Sequence, residues 1–131
     1  MTWDQVFIVF IACHATGDFL LQTEFQATRK AGGLGSDPVA RKALFAHLFV
    51  YSLCFVPAFV WIVDKQSVGR MIAAAAIGLL THLVQDDRRL LYWYTTTVKK
   101  ADPPPDNPLW IFIDQAGHIV WLFAAALAAA A

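Results

Sequence analysis

Four stretches of predominantly apolar residues, each about twenty residues long, place the strongest constraint on how this chain can fold. They run from about residue 3 to 21, 43 to 63, 68 to 91 and 108 to 130. A bilayer core of ~30 Å requires about 20 apolar residues per helix, and each stretch meets that requirement. Only 15% of the 131 residues are charged, whereas about a quarter are charged in a typical soluble domain. We therefore expect an all-α integral membrane four-helix bundle, with residues 1–131 forming a single transmembrane domain.

The basic residues are distributed unevenly along the chain. Eight of the ten lie in the first and third connections, residues 22–42 and 88–107: Arg29, Lys30, Arg41, Lys42, Arg88, Arg89, Lys99 and Lys100. The positive-inside rule predicts that these two connections face the cytoplasm and that both termini lie outside. We expect a multi-pass protein of the inner (cytoplasmic) membrane, with the lipid bilayer as its main partner. The net charge is zero, so nothing indicates a nucleic-acid partner.

Ionisable residues occur inside all four apolar stretches, although each costs ~2.5–3.5 kcal/mol to insert at the centre of a membrane helix. Seven of them, including every histidine of the chain, form one set: His14, Asp18, His47, His82, Asp86, Asp114 and His118. Such residues usually face the interior of a bundle and mark a site. We therefore expect this set to converge inside the protein.

Three of the four stretches carry a histidine and an aspartate four residues apart, which is about one helical turn. The pairs are His14/Asp18, His82/Asp86 and Asp114/His118. Residues four apart share one face of a helix. The order is reversed in the fourth helix, which runs in the opposite direction to the first and third. Each aspartate is therefore predicted to lie nearer the cytoplasm and each histidine one turn deeper, with His47 near the level of the aspartates.

Imidazole and carboxylate groups together suit divalent transition metals, and helical bundles build metal sites from such residues at one-turn spacing. We expect one or two ions of Zn, Mn or Fe, with the seven residues as candidate ligands. Asp18, Asp86 and Asp114 are also candidate catalytic residues, since a carboxylate that does not bind metal can act as a general base. Interhelical hydrogen bonds, buried ion pairs or a proton pathway are the alternatives.

Three glutamines accompany the cluster and could orient its members. Gln22 follows Asp18 by one turn, Gln85 precedes Asp86, and Gln115 follows Asp114. Amides placed behind metal ligands orient carboxylates and fix histidine tautomers. We predict this supporting role for all three, and the alternative for Gln22 and Gln85 is that they are ordinary polar residues near the membrane interface.

The ordered motifs resemble a known family. They are the segment from His14 to Asp18 and on to Gln22, then His47 in an apolar helix, His82 to Asp86, and Asp114-Gln115 to His118. Together they are similar to domain of unknown function 3307, a family of small bacterial and phage membrane proteins. The resemblance implies four membrane helices but no established activity. A looser likeness in the HxxxD spacing points to proteins labelled inner-membrane metal-dependent hydrolases.

Three functions are compatible with these features. The first is a metal-dependent hydrolase acting on a lipid or phosphoester bond near the cytoplasmic face. The second is transport of protons, ions or metal, although polar residues occupy only the cytoplasmic third of the helices. The third is a non-enzymatic scaffold. In that case helix four, with small residues from Ala124 to Ala129, is predicted to pack against a second copy or a larger membrane complex.

Overall fold

The computed structural model describes residues 1–131 and contains helices but no strands. The six α-helices are α1 Trp3–Ala15, α2 Glu24–Arg29, α3 Pro38–Lys65, α4 Val68–Asp86, α5 Arg89–Trp93 and α6 Leu109–Ala130. Two of them continue into a π-helical turn: α1 into Thr16–Leu20 and α5 into Tyr94–Val98. The all-α fold class predicted from the sequence is confirmed.

The four long helical segments surround a common core. Helix α1 packs against α3 and α6, and α4 packs against the same two helices. The core contains eleven buried residues, all apolar except for the hydroxyl of Tyr51: Val6, Phe10, Tyr51, Phe55, Ala58, Ile62, Ala74, Leu122, Ala125, Ala126 and Ala129. This core fills the bundle on the side away from the loops of residues 21–37 and 87–108.

Three helices, α3, α4 and α6, are long and apolar enough to cross a membrane. Helix α1 alone has 13 residues, and its π-helical extension carries the helical segment to Leu20. The extension widens the last turn, with the Thr16 hydroxyl donating to the Ala12 carbonyl at 2.9 Å. π-Helical turns inside α-helices are frequent at functional sites. Here the turn buries both Gly17 and Asp18.

The boundaries of two helices differ from those predicted. Helix α3 begins at Pro38, earlier than predicted, because the Asp37 side chain accepts a hydrogen bond from the Val39 amide and proline suits the first helical position. Helix α4 was predicted to continue to residue 91 but ends at Asp86. Arg88 takes a left-handed conformation with φ of 63°, which breaks the helix, and the aromatic residues that follow belong to α5.

Large apolar side chains cover the outside of the bundle. Ile8, Phe49, Leu80 and Phe112 are each more than 60% exposed, one on each long helical segment. A continuous apolar surface of this kind is unfavourable in water and favourable against lipid tails. The exterior therefore supports contact with a lipid bilayer.

The small residues at the end of α6 pack inside the bundle. Ala125, Ala126 and Ala129 are fully buried, and the Ala125 methyl group lies against Gly78 of α4. Helix α6 therefore uses these three alanines to approach its own neighbours, while Ala124 and Ala128 remain partly exposed. Association of this helix with another chain stays a prediction.

Candidate metal centre

All seven predicted residues meet at the end of the bundle that carries the long loops. Six of them are buried, with exposed fractions of 9% or less: His14, Asp18, His47, His82, Asp86 and His118. Asp114 is the most accessible, with 14% of its side chain exposed. None points outward from the bundle. The one-turn spacing therefore places each pair on the inner face of its helix, as expected from the sequence.

Four side-chain atoms from four residues gather around one point. The Nε2 atom of His47 lies 3.0 Å from Nε2 of His82 and 3.0 Å from Oδ2 of Asp86. It is also 3.2 Å from Oδ1 of Asp18. The Nε2 atom of His82 lies 3.1 Å from Asp86 Oδ2 and 3.6 Å from Asp18 Oδ1. We call Asp18, His47, His82 and Asp86 the central quartet.

The distances from the Nε2 atoms of His47 and His82 to each other and to the two aspartates match what a single ion requires. Atoms bound at about 2.0–2.2 Å to one ion lie roughly 2.8–3.6 Å apart in octahedral and tetrahedral arrangements. One shared proton could join the two imidazoles without an ion. However, Asp18 Oδ1 and Asp86 Oδ2 are both buried and lie 3.2 Å and 3.0 Å from Nε2 of His47, which carries at most one proton. One proton cannot serve His82 Nε2 and both carboxylate oxygens at once, so the donor set fits a cation better than a hydrogen-bonded core.

A second group of donors lies on the other side of Asp86. Its Oδ1 atom is 3.7 Å from Nε2 of His118, which in turn is 3.6 Å from Oδ1 of Asp114. The His118 and Asp114 atoms are buried and have no hydrogen-bond partner. Asp86 therefore presents one oxygen to the central quartet and the other to this second group.

His14 differs from the other histidines because both of its ring nitrogens are hydrogen-bonded to residues outside the set of seven. Nδ1 lies 3.2 Å from the Tyr51 hydroxyl, and Nε2 lies 3.0 Å from Oε1 of Gln115. One nitrogen from each of the His14, His82 and His118 rings lies within 4.8 Å of the other two. The sequence predicted His14 as a nitrogen ligand, and the structure gives it hydrogen bonds that hold it beside the cluster.

The three predicted amides all contact the cluster or its helices. The Nε2 atom of Gln22 lies 3.1 Å from Nδ1 and 3.3 Å from Nε2 of His47. An amide nitrogen carries only protons, so Gln22 contacts the edge of this ring as a hydrogen-bond donor. Gln115 contacts His14, and Gln85 donates to the Asp114 carbonyl at 3.3 Å. A Cβ atom at Gly117 would clash with Nε2 of Gln85, so a larger residue there would push the Gln85 side chain aside.

Tyr51 is a part of the site that the sequence analysis did not single out. Its ring stacks on His82, and its hydroxyl contacts His14. A Cβ atom at Gly17 would lie only 2.6 Å from Cδ2 of Tyr51, so this glycine lets the ring enter. One signal was available, since Tyr51 follows His47 by one helical turn and therefore shares its face.

Lys30 is the second residue that was missed, because it was counted only among the loop cations that set topology. It is 5% exposed, and its Nζ atom lies 2.8 Å from Oδ1 of Asp86. A buried lysine requires a partner of this kind. Nothing in the local sequence distinguishes Lys30 from the neighbouring Arg29, which is exposed.

The loop that carries Lys30 is fastened to the end of α4 by Asp87. The Asp87 backbone carbonyl accepts from the Gly32 amide at 2.9 Å, and its Oδ1 atom accepts from the Leu34 amide at 2.8 Å. The other carboxylate oxygen accepts a hydrogen bond from Arg89, which raises the pKa of that exposed guanidinium. These bonds hold residues 30–34 over the cluster.

A groove leads from the surface to the cluster. It has a volume of ≈ 540 Å³ and reaches Asp114 between α6 and the segment of residues 88–107. Arg88, Tyr92, Asn107 and Trp110 also line it. The left-handed backbone of Arg88 is unusual for a residue with a side chain, and such strain is often found at functional sites. The groove joins a cationic side chain to the most accessible carboxylate of the cluster.

These observations define the class of the protein: an all-α bundle with long apolar helices around a buried group of histidines and aspartates that could hold a metal ion. The chain belongs to the family described as Protein of unknown function (DUF3307), whose model matches residues 6–131. The family predicted from the ordered motifs is therefore confirmed. No curated protein and no solved structure gives a significant match. The looser likeness to metal-dependent hydrolases thus gains no support from related proteins.

Proposed function

We propose that this protein is a membrane-embedded metalloenzyme whose central quartet binds one divalent transition metal ion. The observation that carries the proposal is the position of the Nε2 atoms of His47 and His82, which lie 3.0–3.6 Å from each other and from one buried oxygen of both Asp18 and Asp86. An ion would neutralise both carboxylates at once in a region where isolated charge is expensive. Two imidazole and two carboxylate ligands suit Zn, Mn or Fe.

The reaction that this arrangement supports best is hydrolysis of a phosphoester or ester bond, with a lipid headgroup as the candidate substrate. A divalent ion activates water and polarises the oxygen of the bond to be cleaved. Asp114 lies outside the central quartet, has an unpaired oxygen and lines the groove, so it is the candidate general base. Arg88 on the same groove is placed to attract an anionic substrate.

The site is proposed to lie near the cytoplasmic face of the inner membrane. The cluster is at the end of the bundle where eight of the ten basic residues occur, and such residues are retained on the cytoplasmic side. In this arrangement residues 1–131 form one transmembrane domain. The segment from Trp3 through the π-helical turn ending at Leu20 would be its first span, and local bilayer thinning would accommodate its short length.

Transport is the weaker alternative because the other half of the bundle is closed. The buried core there is apolar and includes Phe10, Phe55 and Ile62, each 2% exposed or less. No polar side chain among the eleven core residues continues a path from the cluster, apart from the hydroxyl of Tyr51 beside His14. A single copy therefore offers ions no route across.

The metal proposal is tested by elemental analysis of protein purified in detergent and loaded with Zn²⁺ or Mn²⁺. We expect about one ion per chain, and expect His82→Ala and Asp86→Ala to lose it. Asp64→Ala is the matched control, because Asp64 is exposed at the opposite end of the bundle and contacts only Lys65. Protein that binds no ion, with the two variants affecting only thermal stability, would show that the cluster is structural.

Hydrolysis is tested separately with a chromogenic phosphodiester and with phospholipids in nanodiscs. We expect Asp114→Asn to keep the ion and lose activity, since Asp114 is proposed to act on water and not to belong to the central quartet. Asp106→Asn is the control, because Asp106 lines the same groove and has no role in the proposal. If metal-loaded wild-type protein has no activity on any ester, the proposal that it is a hydrolase is rejected. The proposal that the central quartet binds an ion would still stand.

A further inference from the structure

We infer that Lys30 serves as the second cation of this centre and limits it to one metal ion. The inference rests on the proposed metal site at the central quartet. Asp86 presents Oδ2 to that quartet and Oδ1 to Lys30, at 3.0 Å from His47 and 2.8 Å from Nζ respectively. One carboxylate thus bridges the proposed ion and an ammonium group. In sites with two ions a bridging carboxylate has the same position between two metals.

The donors around Lys30 are suited to an ion. The His118 Nε2 and Asp114 Oδ1 atoms lie 3.6 Å apart, are buried, and have no hydrogen-bond partner. With Asp86 Oδ1, 3.7 Å from His118 Nε2, they form a set of three donors that could hold a metal. Lys30 is bound to one member of this set. The ammonium group therefore occupies the Asp86 oxygen that a second divalent ion would need as a ligand.

The charges balance with one ion and do not balance with two. Asp18, Asp86 and Asp114 contribute three negative charges, and one divalent ion with Lys30 contributes three positive charges. A second divalent ion in the presence of Lys30 would leave two uncompensated positive charges in a region of low dielectric constant. Electrostatics therefore opposes a second ion as long as Lys30 is present.

Lys30 is held in this position by the fold and is not a freely moving surface side chain. Gly33 packs so closely against Leu44 and the Ala40 carbonyl of α3 that no side chain fits there. Gly32 has a φ of +78°, which permits the turn after Lys30. Together with the two bonds to Asp87, these contacts direct residue 30 towards Asp86.

The inference is tested by counting ions in Lys30→Met, which removes the charge and keeps the length of the side chain. We expect wild-type protein loaded with Mn²⁺ to bind one ion and Lys30→Met to bind two. Lys42→Met is the matched control, since Lys42 is exposed on α3 and should leave one ion. Lys30→Arg keeps the charge and should also leave one. The double variant Lys30→Met/His118→Ala should return to one ion, because it removes a ligand of the second.

Electron paramagnetic resonance gives an independent readout. Two Mn²⁺ ions bridged by Asp86 are spin-coupled, so their spectrum differs from the six-line signal of a single ion. Should Lys30→Met fail to fold, Lys30→Gln is measured in its place. One uncoupled ion in the folded variant, or two ions in wild-type protein, would overturn the role of Lys30 while the central site stands. Wild-type protein without any ion would instead reject the proposed metal site and this inference with it.

Discussion

The ring of Tyr51 stacks on the imidazole of His82, with ring centroids 3.5 Å apart and an interplanar angle of 13°. The stack fixes the plane of a histidine in the central quartet, and the Tyr51 hydroxyl reaches His14 at 3.2 Å. Tyr51 also belongs to the apolar core, where it contacts Phe55. One residue therefore joins the packed half of the bundle to its polar end.

Replacing Tyr51 should separate its two roles. Tyr51→Phe keeps the stack and loses the contact with His14, so we expect metal affinity to fall by no more than about tenfold. Tyr51→Ala leaves a cavity and frees the His82 ring. We expect a loss of about 3–5 kcal/mol in the free energy of unfolding and a decrease in metal affinity of roughly 100-fold. Metal titrations and thermal unfolding measure both effects, and equal metal affinity in the two variants would contradict a role for stacking.

Gly17→Ala tests the close contact between α1 and α3. The new methyl group would lie 2.6 Å from Cδ2 of Tyr51, so the ring or the helix must move, at a cost of about 1–3 kcal/mol. We expect lower thermal stability and weaker metal binding. Gly69→Ala is the control, because the nearest atom to its Cβ position is 3.8 Å away and the residue is exposed. A Gly17→Ala protein that unfolds and binds metal like Gly69→Ala would contradict the packing described.

Asp87→Ala tests how the loop of residues 30–34 is fastened. The change removes the acceptor of the Leu34 amide and costs about 1–3 kcal/mol locally, so exchange of that amide should accelerate by roughly tenfold or more. We expect the central ion to remain bound, since Asp87 contacts none of its ligands. Hydrogen exchange measured by mass spectrometry compares this variant with Asp64→Ala. Unchanged protection of residues 31–35 would show that other contacts hold the loop.

The sequence was sufficient for the features that depend on local pattern. Apolar runs predicted the helices, and one-turn spacing predicted that His82 and Asp86 share an inward face. The features that were missed depend on contacts between distant residues. Lys30 reaches Asp86 from a loop that is held in part by the bond between Leu34 and Asp87, 53 residues away in the chain.

The early end of α4 was missed for a related reason. A left-handed conformation is uncommon for arginine. No glycine or proline stands directly after Asp86, where it would have signalled a break in the helix. The segment from Arg88 continues with leucine and aromatic residues that suit a helix. The break is useful to the site because it turns Arg88 towards the groove that reaches Asp114. Local preference was overridden here by the position of the connecting segment.

The orientation of the chain is predicted to place both termini outside and residues 88–107 in the cytoplasm. A cysteine-free protein is made by replacing Cys13 and Cys54, and single cysteines are introduced by Lys99→Cys or Ala131→Cys, both at exposed positions. In intact spheroplasts, an impermeant maleimide should label Ala131→Cys, while Lys99→Cys should react only after the membrane is permeabilised. This expectation rests on the retention of lysine and arginine near the ends of the helices on the cytoplasmic side. The opposite labelling pattern would show that the bundle has the opposite orientation in the membrane. The metal centre would then face the outside, and a cytoplasmic substrate would no longer be tenable.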